Sequence, residues 1–330
     1  VLKRFLSPLG VLAALALAAW IALPHWPTRP VSEGEHLVIP QGASLPRIAA
    51  EIERVGVAPA WTVRLVARIR GSATRLMPGT YRLDGIGTVG DLLEAIESGR
   101  ALLATLTLVE GMNLRDLHAL LAKAALPPHS LSLDEVRTIE DINARFGEGY
   151  GSAEGWFFPD TYAIAPGSSA RALLATMNER MKRELDQVWQ ARAPNLPLQS
   201  PYEALILASI IEKETGREAD RPLVASVFVN RLRLGMRLQT DPTVIYGLGA
   251  AFDGDLRKRD LVTDTPYNTY TRGGLPPTPI AMPGRASLRA AVAPADTDYL
   301  YFVARGDGSS EFSRNLAEHN RAVARYQLKQ

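Results

Sequence analysis

A glutamate at the end of a long apolar run is the residue best suited to acid–base chemistry. Glu203 to Thr215 reads Glu-Ala-Leu-Ile-Leu-Ala-Ser-Ile-Ile-Glu-Lys-Glu-Thr, followed by Gly216. From Ala204 to Ile211 only Ser209 is polar, so the spacing predicts a helix buried nearly all round, with Gly216 as its C-cap. Glu212 stands where the apolar run stops. Desolvation and the negative end of the helix dipole would both disfavour its anion and raise its pKa, as a general acid near neutral pH requires. The competing reading is a solvated Glu in a last turn beside Lys213. Glu214, about 200° further round, is the rival carboxylate and reads as a salt-bridging surface side chain.

Downstream, polar and aromatic side chains gather on loops. Val224 to Leu234 predicts a second amphipathic helix, and Gln239-Thr240-Asp241-Pro242-Thr243-Val244-Ile245-Tyr246-Gly247 sets several polar groups beside a proline turn. Thr265-Pro266-Tyr267-Asn268-Thr269-Tyr270 and Gly273-Gly274-Leu275-Pro276-Pro277 follow as structured loops. Tyrosine rings offer flat faces to sugars, and amides match hydroxyl and N-acetyl groups. Gln239, Thr240, Asp241, Tyr246, Tyr267, Asn268 and Tyr270 are therefore candidate substrate-binding residues. Asp241 would serve equally well as the second carboxylate of a hydrolase or as a turn cap before Pro242. Asn315 and His319 either close the groove or cap the last helix.

Further upstream are the elements that must position these residues. Glu154-Gly155-Trp156-Phe157-Phe158-Pro159-Asp160-Thr161-Tyr162 packs four aromatics into nine residues, more a core-filling corner than a sugar platform. Residues 170–192 predict one amphipathic helix through Leu173, Met177, Met181, Leu185 and Val188, and 193–201 a loop. A strand–glycine turn–helix unit occurs twice, at Leu37–Leu45 and at Leu106–Leu114, with Ser44 and Asn113 as predicted N-caps. The first copy resembles a LysM-like module, which implies binding to N-acetylglucosamine-containing glycan. Phe5 to Pro24 is an uncharged, mostly apolar run of 20 residues after Lys3 and Arg4. It is long enough to span a bilayer with the basic flank inside, although Ala14-Leu15-Ala16 also resembles a signal-peptide cleavage site.

Composition narrows the classes. The 330 residues are 46% hydrophobic and 22% charged, which fits a globular chain of about two domains. A formal net charge of +2 gives no reason to propose nucleic acid as a partner. There is no cysteine, hence no thiol chemistry, and the scattered histidines lack metal-ligand spacing.

Several long motifs, in order, carry a family resemblance. Leu207–Thr215, Val224–Leu232, Leu238–Thr243, Tyr267–Tyr270, Gly274–Pro277 and Tyr299–Val303 resemble the MltG (YceG-like) endolytic murein transglycosylases. The resemblance implies cleavage of the MurNAc–GlcNAc β-1,4 bond within peptidoglycan strands, leaving 1,6-anhydro-MurNAc ends, with Glu212 matching the catalytic Glu. It implies no metal or organic cofactor. As partners it implies peptidoglycan strands, penicillin-binding synthases and the cytoplasmic membrane. The expected fold is α+β: a cytoplasmic tail at 1–4, a transmembrane helix at 5–24, a linker at 25–35, a LysM-like region with the second strand–turn–helix unit at 36–124, a connector at 125–153 and a catalytic domain of helices and short strands at 154–330. The inner membrane, with the catalytic part outside the cytoplasm, is the expected location. Two other readings stay open: a non-catalytic glycan-binding scaffold, and a muramidase using Glu212 with Asp241.

Overall fold

A computed structural model describes residues 18, 20–30, 34–40, 42–99, 101, 104–125, 131–147, 149–164 and 168–328. The span expected at 5–24 falls for the most part outside them. Among the described residues no helix is long and apolar enough to cross a membrane. The chain forms two compact units: Val1–Leu106 with Ala124–Ser132 and Ala163–Ser169, and Thr107–Lys123 with Leu133–Tyr162 and Ala170–Gln330.

In the first unit, β1 (His36–Ile39) leads into α1 (Leu45–Arg54) and α2 (Ala60–Ile69), then β2 (Gly79–Arg82) and α3 (Val89–Glu97). β1 and β2 pair antiparallel, with Leu37 opposite Tyr81. Alternation along β1 turns Leu37 and Ile39 inward, where Ile48, Ile52, Val63, Val66, Leu93 and Ile96 complete a closed core. Ser44 occupies the N-cap of α1 as expected, though its side chain caps nothing, whereas Thr88 and Asp91 form a reciprocal capping box on α3.

β3 (Ala104–Thr107) pairs with β4 (Thr161–Ile164). The second unit contains α4 (Leu114–Ala124), α5 (Ile139–Phe146), α6 (Ala170–Gln190), α7 (Pro201–Glu214), α8 (Arg221–Arg233), α9 (Asp241–Leu248), α10 (Lys258–Val262) and α11 (Arg285–Val292). The antiparallel hairpin of β5 (Tyr301–Ala304) and β6 (Ser310–Ser313) precedes α12 (Leu316–Tyr326). This is a mixed α+β fold of many helices and short paired strands.

Two boundaries differ from expectation. Thr107–Lys123, which carries the glycine turn and helix of the second strand–turn–helix unit, groups with the helices of the second unit rather than with the first. The stretch expected to connect the halves is structured at Ile139–Phe146: Thr138 and Asp141 cap that helix reciprocally and Ile142 is buried. Its Pro, Ser, Asp and Gly content concealed a short capped helix.

α7 is the axis of the second unit, packed against α6, α8, α9 and α11. Ser200 caps its start and Pro201 opens its first turn. Everything from Ala204 to Ile211 is buried, each large aliphatic side chain contributing about 1.5–3 kcal/mol of transfer free energy. The single polar residue of that run is satisfied: Ser209 Oγ donates to Ile206 O at 2.7 Å and accepts from Ile280 N at 3.0 Å. Trp156, Phe157 and Phe158 are buried, as the corner reading expects.

Candidate active site

The last turn of α7 carries both glutamates, and they enter different surroundings. The helix ends at Thr215, whose backbone is extended, and not at a left-handed Gly216. The Glu212 side chain is only 6% exposed and is held from two elements. Oε1 lies 3.2 Å from Arg221 Nη2 at the start of α8, and Oε2 accepts from Gly284 N at 2.9 Å before α11. Arg221 is itself fixed by Nε donating to Ser287 Oγ at 3.1 Å. Both carboxylate oxygens of Glu212 are thus committed to donors inside the protein.

Glu214 accepts from Thr240 Oγ1. It is half-buried and makes no ion pair among the described residues, which corrects the expectation of a salt-bridging surface side chain. Burial pushes its carboxyl up to about 7; nearby Asp241 adds to the rise, and the Thr240 bond and Arg231 oppose it. A carboxyl titrating there can both donate and accept a proton near neutral pH.

The segment opposite Glu214 is built by an unusual turn. Gln239 has φ +50°, a left-handed conformation costly for a residue with a side chain. Its N–H donates to Thr269 O at 3.2 Å, and Thr240 N–H donates to Thr269 Oγ1 at 3.1 Å. Asp241 then opens α9, where Tyr270 Oη donates to Asp241 Oδ1 at 2.6 Å. Arg231 supports the group from α8: it donates to Leu238 O and Leu300 O, each at 2.7 Å, and lies 5.0 Å over the Tyr301 ring.

The fold therefore gathers Thr240, Asp241 and Tyr270 around Glu214, with Gln239 next to Thr240 in the chain, and not around Glu212. Tyr246 and Tyr267 form a second group: their rings meet edge-on at 4.9 Å, Tyr246 Oη donates to Glu154 at 2.9 Å and Tyr267 Oη pairs with Thr278 Oγ1 at 2.8 Å. Asn268 is fully buried, and its amide ties the loop by donating to Asp260, Leu261 and Thr263 carbonyls and accepting from Tyr270 N. It presents nothing to a groove, contrary to its expected place among substrate contacts. Asn315 caps α12, accepting from Glu318 N at 2.9 Å, and His319 stacks on Tyr301 with ring centres 5.2 Å apart. Sequence reasoning missed Arg231, Thr269 and Glu154; Thr269 sat visible inside the Tyr-Asn-Thr-Tyr cluster, whereas Arg231 looked like any helix-surface arginine.

Comparison with known proteins agrees with this scaffold. The model of the YceG-like family matches residues 37–325. An endolytic murein transglycosylase of Bacillus subtilis (strain 168) is 33% identical over 304 residues, covering 87% of this chain and 83% of the relative. The endolytic murein transglycosylase of Streptococcus pneumoniae (serotype 2, strain D39) is 28% identical over 325 residues, with 87% of this chain matched to 57% of that longer protein. A crystal structure of a YceG-like protein from Listeria monocytogenes superposes with a TM-score of 0.55 at 30% identity, covering 87% of this chain and 98% of the other. The chain belongs to the YceG-like family.

Proposed function

We infer that this chain is an endolytic murein transglycosylase, a lytic enzyme acting on peptidoglycan, as its relatives are named. The observation that carries the site assignment is the Glu214 carboxyl, titrating at about 7 and bonded to Thr240 amid Gln239, Asp241 and Tyr270. On that basis the acid–base role passes from Glu212 to Glu214. Glu212, locked to Arg221 and Gly284, fixes the turn from which Glu214 projects.

The reaction needs one such group. Protonated Glu214 donates to the glycosidic oxygen as its bond to C1 of MurNAc breaks. The 6-hydroxyl of the same sugar attacks C1, and the Glu214 carboxylate takes the hydroxyl proton as the 1,6-anhydro ring closes. The proton returns to Glu214, no water is consumed, and no second carboxylate is needed as nucleophile. Intramolecular attack carries a large effective molarity, so holding the sugar matters most. Gln239, Thr240, Asp241 and Tyr270 are suited to that by their position beside the acid.

The first unit is read as the LysM-like glycan-binding part. Its support is the run of β1, α1, α2 and β2 closed by the antiparallel β1–β2 pair. Residues 5–24 would anchor the chain in the cytoplasmic membrane with the enzyme on its outer side, supported by the apolar run and by Lys3 and Arg4. Association with penicillin-binding synthases rests on the family resemblance alone.

The test is mass spectrometry of purified peptidoglycan strands treated with the protein. Anhydro-MurNAc ends from the parent, lost in Glu214→Gln and retained in Glu212→Gln, are the expected result. Products heavier by one water would make the enzyme a hydrolase and bring Asp241 into the mechanism. Loss in Glu212→Gln alone would return the acid to Glu212.

A further inference from the structure

We propose that Glu154 is a positioning residue for the cleavage site, clamping the first turn of α4 to Tyr246 and so holding α9. It rests on the reading of Glu214 as the acid, because α9 begins with Asp241 and is entered through Thr240, the residue bonded to Glu214.

Glu154 is 2% exposed, a carboxylate buried where the chain turns into the aromatic run. The next residue, Gly155, has φ +80°, and a Cβ on it would lie 2.6 Å from Pro279 Cβ. Only glycine fits that turn, which directs the preceding carboxylate inward. Both oxygens of Glu154 accept from Leu114 N at 3.0 Å, taking up an N–H that the first turn of α4 leaves free. Oε2 also accepts from Tyr246 Oη at 2.9 Å. The neighbouring residue on α4 grips the same tyrosine: the Arg115 guanidinium lies 5.9 Å over its ring, with Nη2 3.5 Å from its carbonyl oxygen. Tyr246 is thus fixed at its hydroxyl, ring and backbone. It sits about 7.5 Å along the axis of α9 from Asp241, at ~1.5 Å per residue, so a tilt there is passed to Thr240 and Asp241.

A buried carboxylate is a costly way to join two elements unless it does something a neutral group would not. The ionisable groups facing it are Arg115 from α4, Tyr246 from α9 and Tyr202 from α7, with Tyr267 against the Tyr246 ring. Burial pushes the Glu154 carboxyl up to about 7, against the pull of the Leu114 and Tyr246 bonds and of Arg115. As the pH falls through that value the oxygens become weaker acceptors for both bonds, so the hold on Tyr246 loosens although the neutral carboxyl itself costs less to bury. Activity should therefore fall on the acid side through Glu154, and on the alkaline side as Glu214 loses the proton it must donate.

The experiment compares the full chain with Tyr246→Phe, Glu154→Gln and the double variant, on purified peptidoglycan strands and by hydrogen exchange. Each single change is expected to lower kcat ~10-fold with KM moved less than ~2-fold, since a displacement on the order of 1 Å at a reacting centre can cost ~100-fold. The double variant should be no worse than the weaker single, because both remove one coupling. Glu154→Gln should also abolish the acid-side fall of kcat. Amides of α9 should exchange faster in both variants. Tyr246→Phe removes only a hydroxyl, so it decides the matter if Glu154→Gln does not fold. Unchanged kcat, a loss confined to KM, fully additive losses or unchanged exchange in α9 would each overturn the clamp. If the parent makes no anhydro ends the enzymatic reading fails, and exchange in α9 still decides the clamp.

Discussion

Glu212 and Glu214 are two residues apart on one helix, and they have different partners. Glu212 meets a cation and a backbone donor, so its removal strands the Arg221 charge where the side chain is 10% exposed. Breaking such a pair costs about 3–5 kcal/mol, and chemical denaturation of Glu212→Ala should show a loss of that order. Glu214 and Glu154 act on stability through the protons they hold. Their carboxyls, pushed up to about 7, hold protons that the unfolded chain releases near the ordinary value of 4.5. Stability from these groups is complete below that value and is lost as pH rises through about 7. For Glu154 the span amounts to about 3 kcal/mol. Denaturation midpoints measured between pH 4.5 and 7 should fall less steeply in Glu154→Gln than in the parent.

At the scale of elements, the site depends on where α7 starts and stops. Ser200 Oγ accepts from Glu203 N at 3.3 Å, and Ser200→Ala should cost ~1 kcal/mol, read as a lower denaturation midpoint at unchanged slope. At the other end Thr215 turns the chain out in extended form, which leaves Glu214 as the last helical residue. The left-handed Gly155 sets the entry to the aromatic corner. Gly155→Ala adds φ strain and a methyl against Pro279, so a loss of about 1–3 kcal/mol is expected in the same measurement.

At the scale of the molecule, each unit closes its own core. Leu93 is fully buried among first-unit side chains, including Ile52, Val66 and Ile96. Leu93→Ala should therefore destabilise that unit by about 2–5 kcal/mol. Calorimetry is expected to show one transition moving down in temperature. The transition of the unit carrying Glu214 should stay in place, and the pH dependence of cleavage should be unchanged. A single transition that moves as a whole would show that the two cores unfold together.

The sequence alone determined the elements whose signals are local. The buried character of α7 follows from its uninterrupted apolar run, α6 from its spacing, and the strand–glycine turn–helix starts at β1 and β3 from side-chain alternation and residues that favour turns. It also determined the family, through motifs that keep their order along the chain. It singled out the last turn of α7 and the Gln-Thr-Asp segment as candidates for the chemistry. Which glutamate faces that segment was decided by the tertiary structure. Where the apolar run ends says how deep a side chain begins, whereas its partner depends on Arg221 closing over one face and Thr240 over the other. The same holds for Asn268, a polar side chain spent on its own loop, and for Glu154, whose partners lie 40 and 92 residues away. Hydrogen bonds between distant segments leave no period in a sequence, so a carboxylate's neighbours become legible only once the chain has folded.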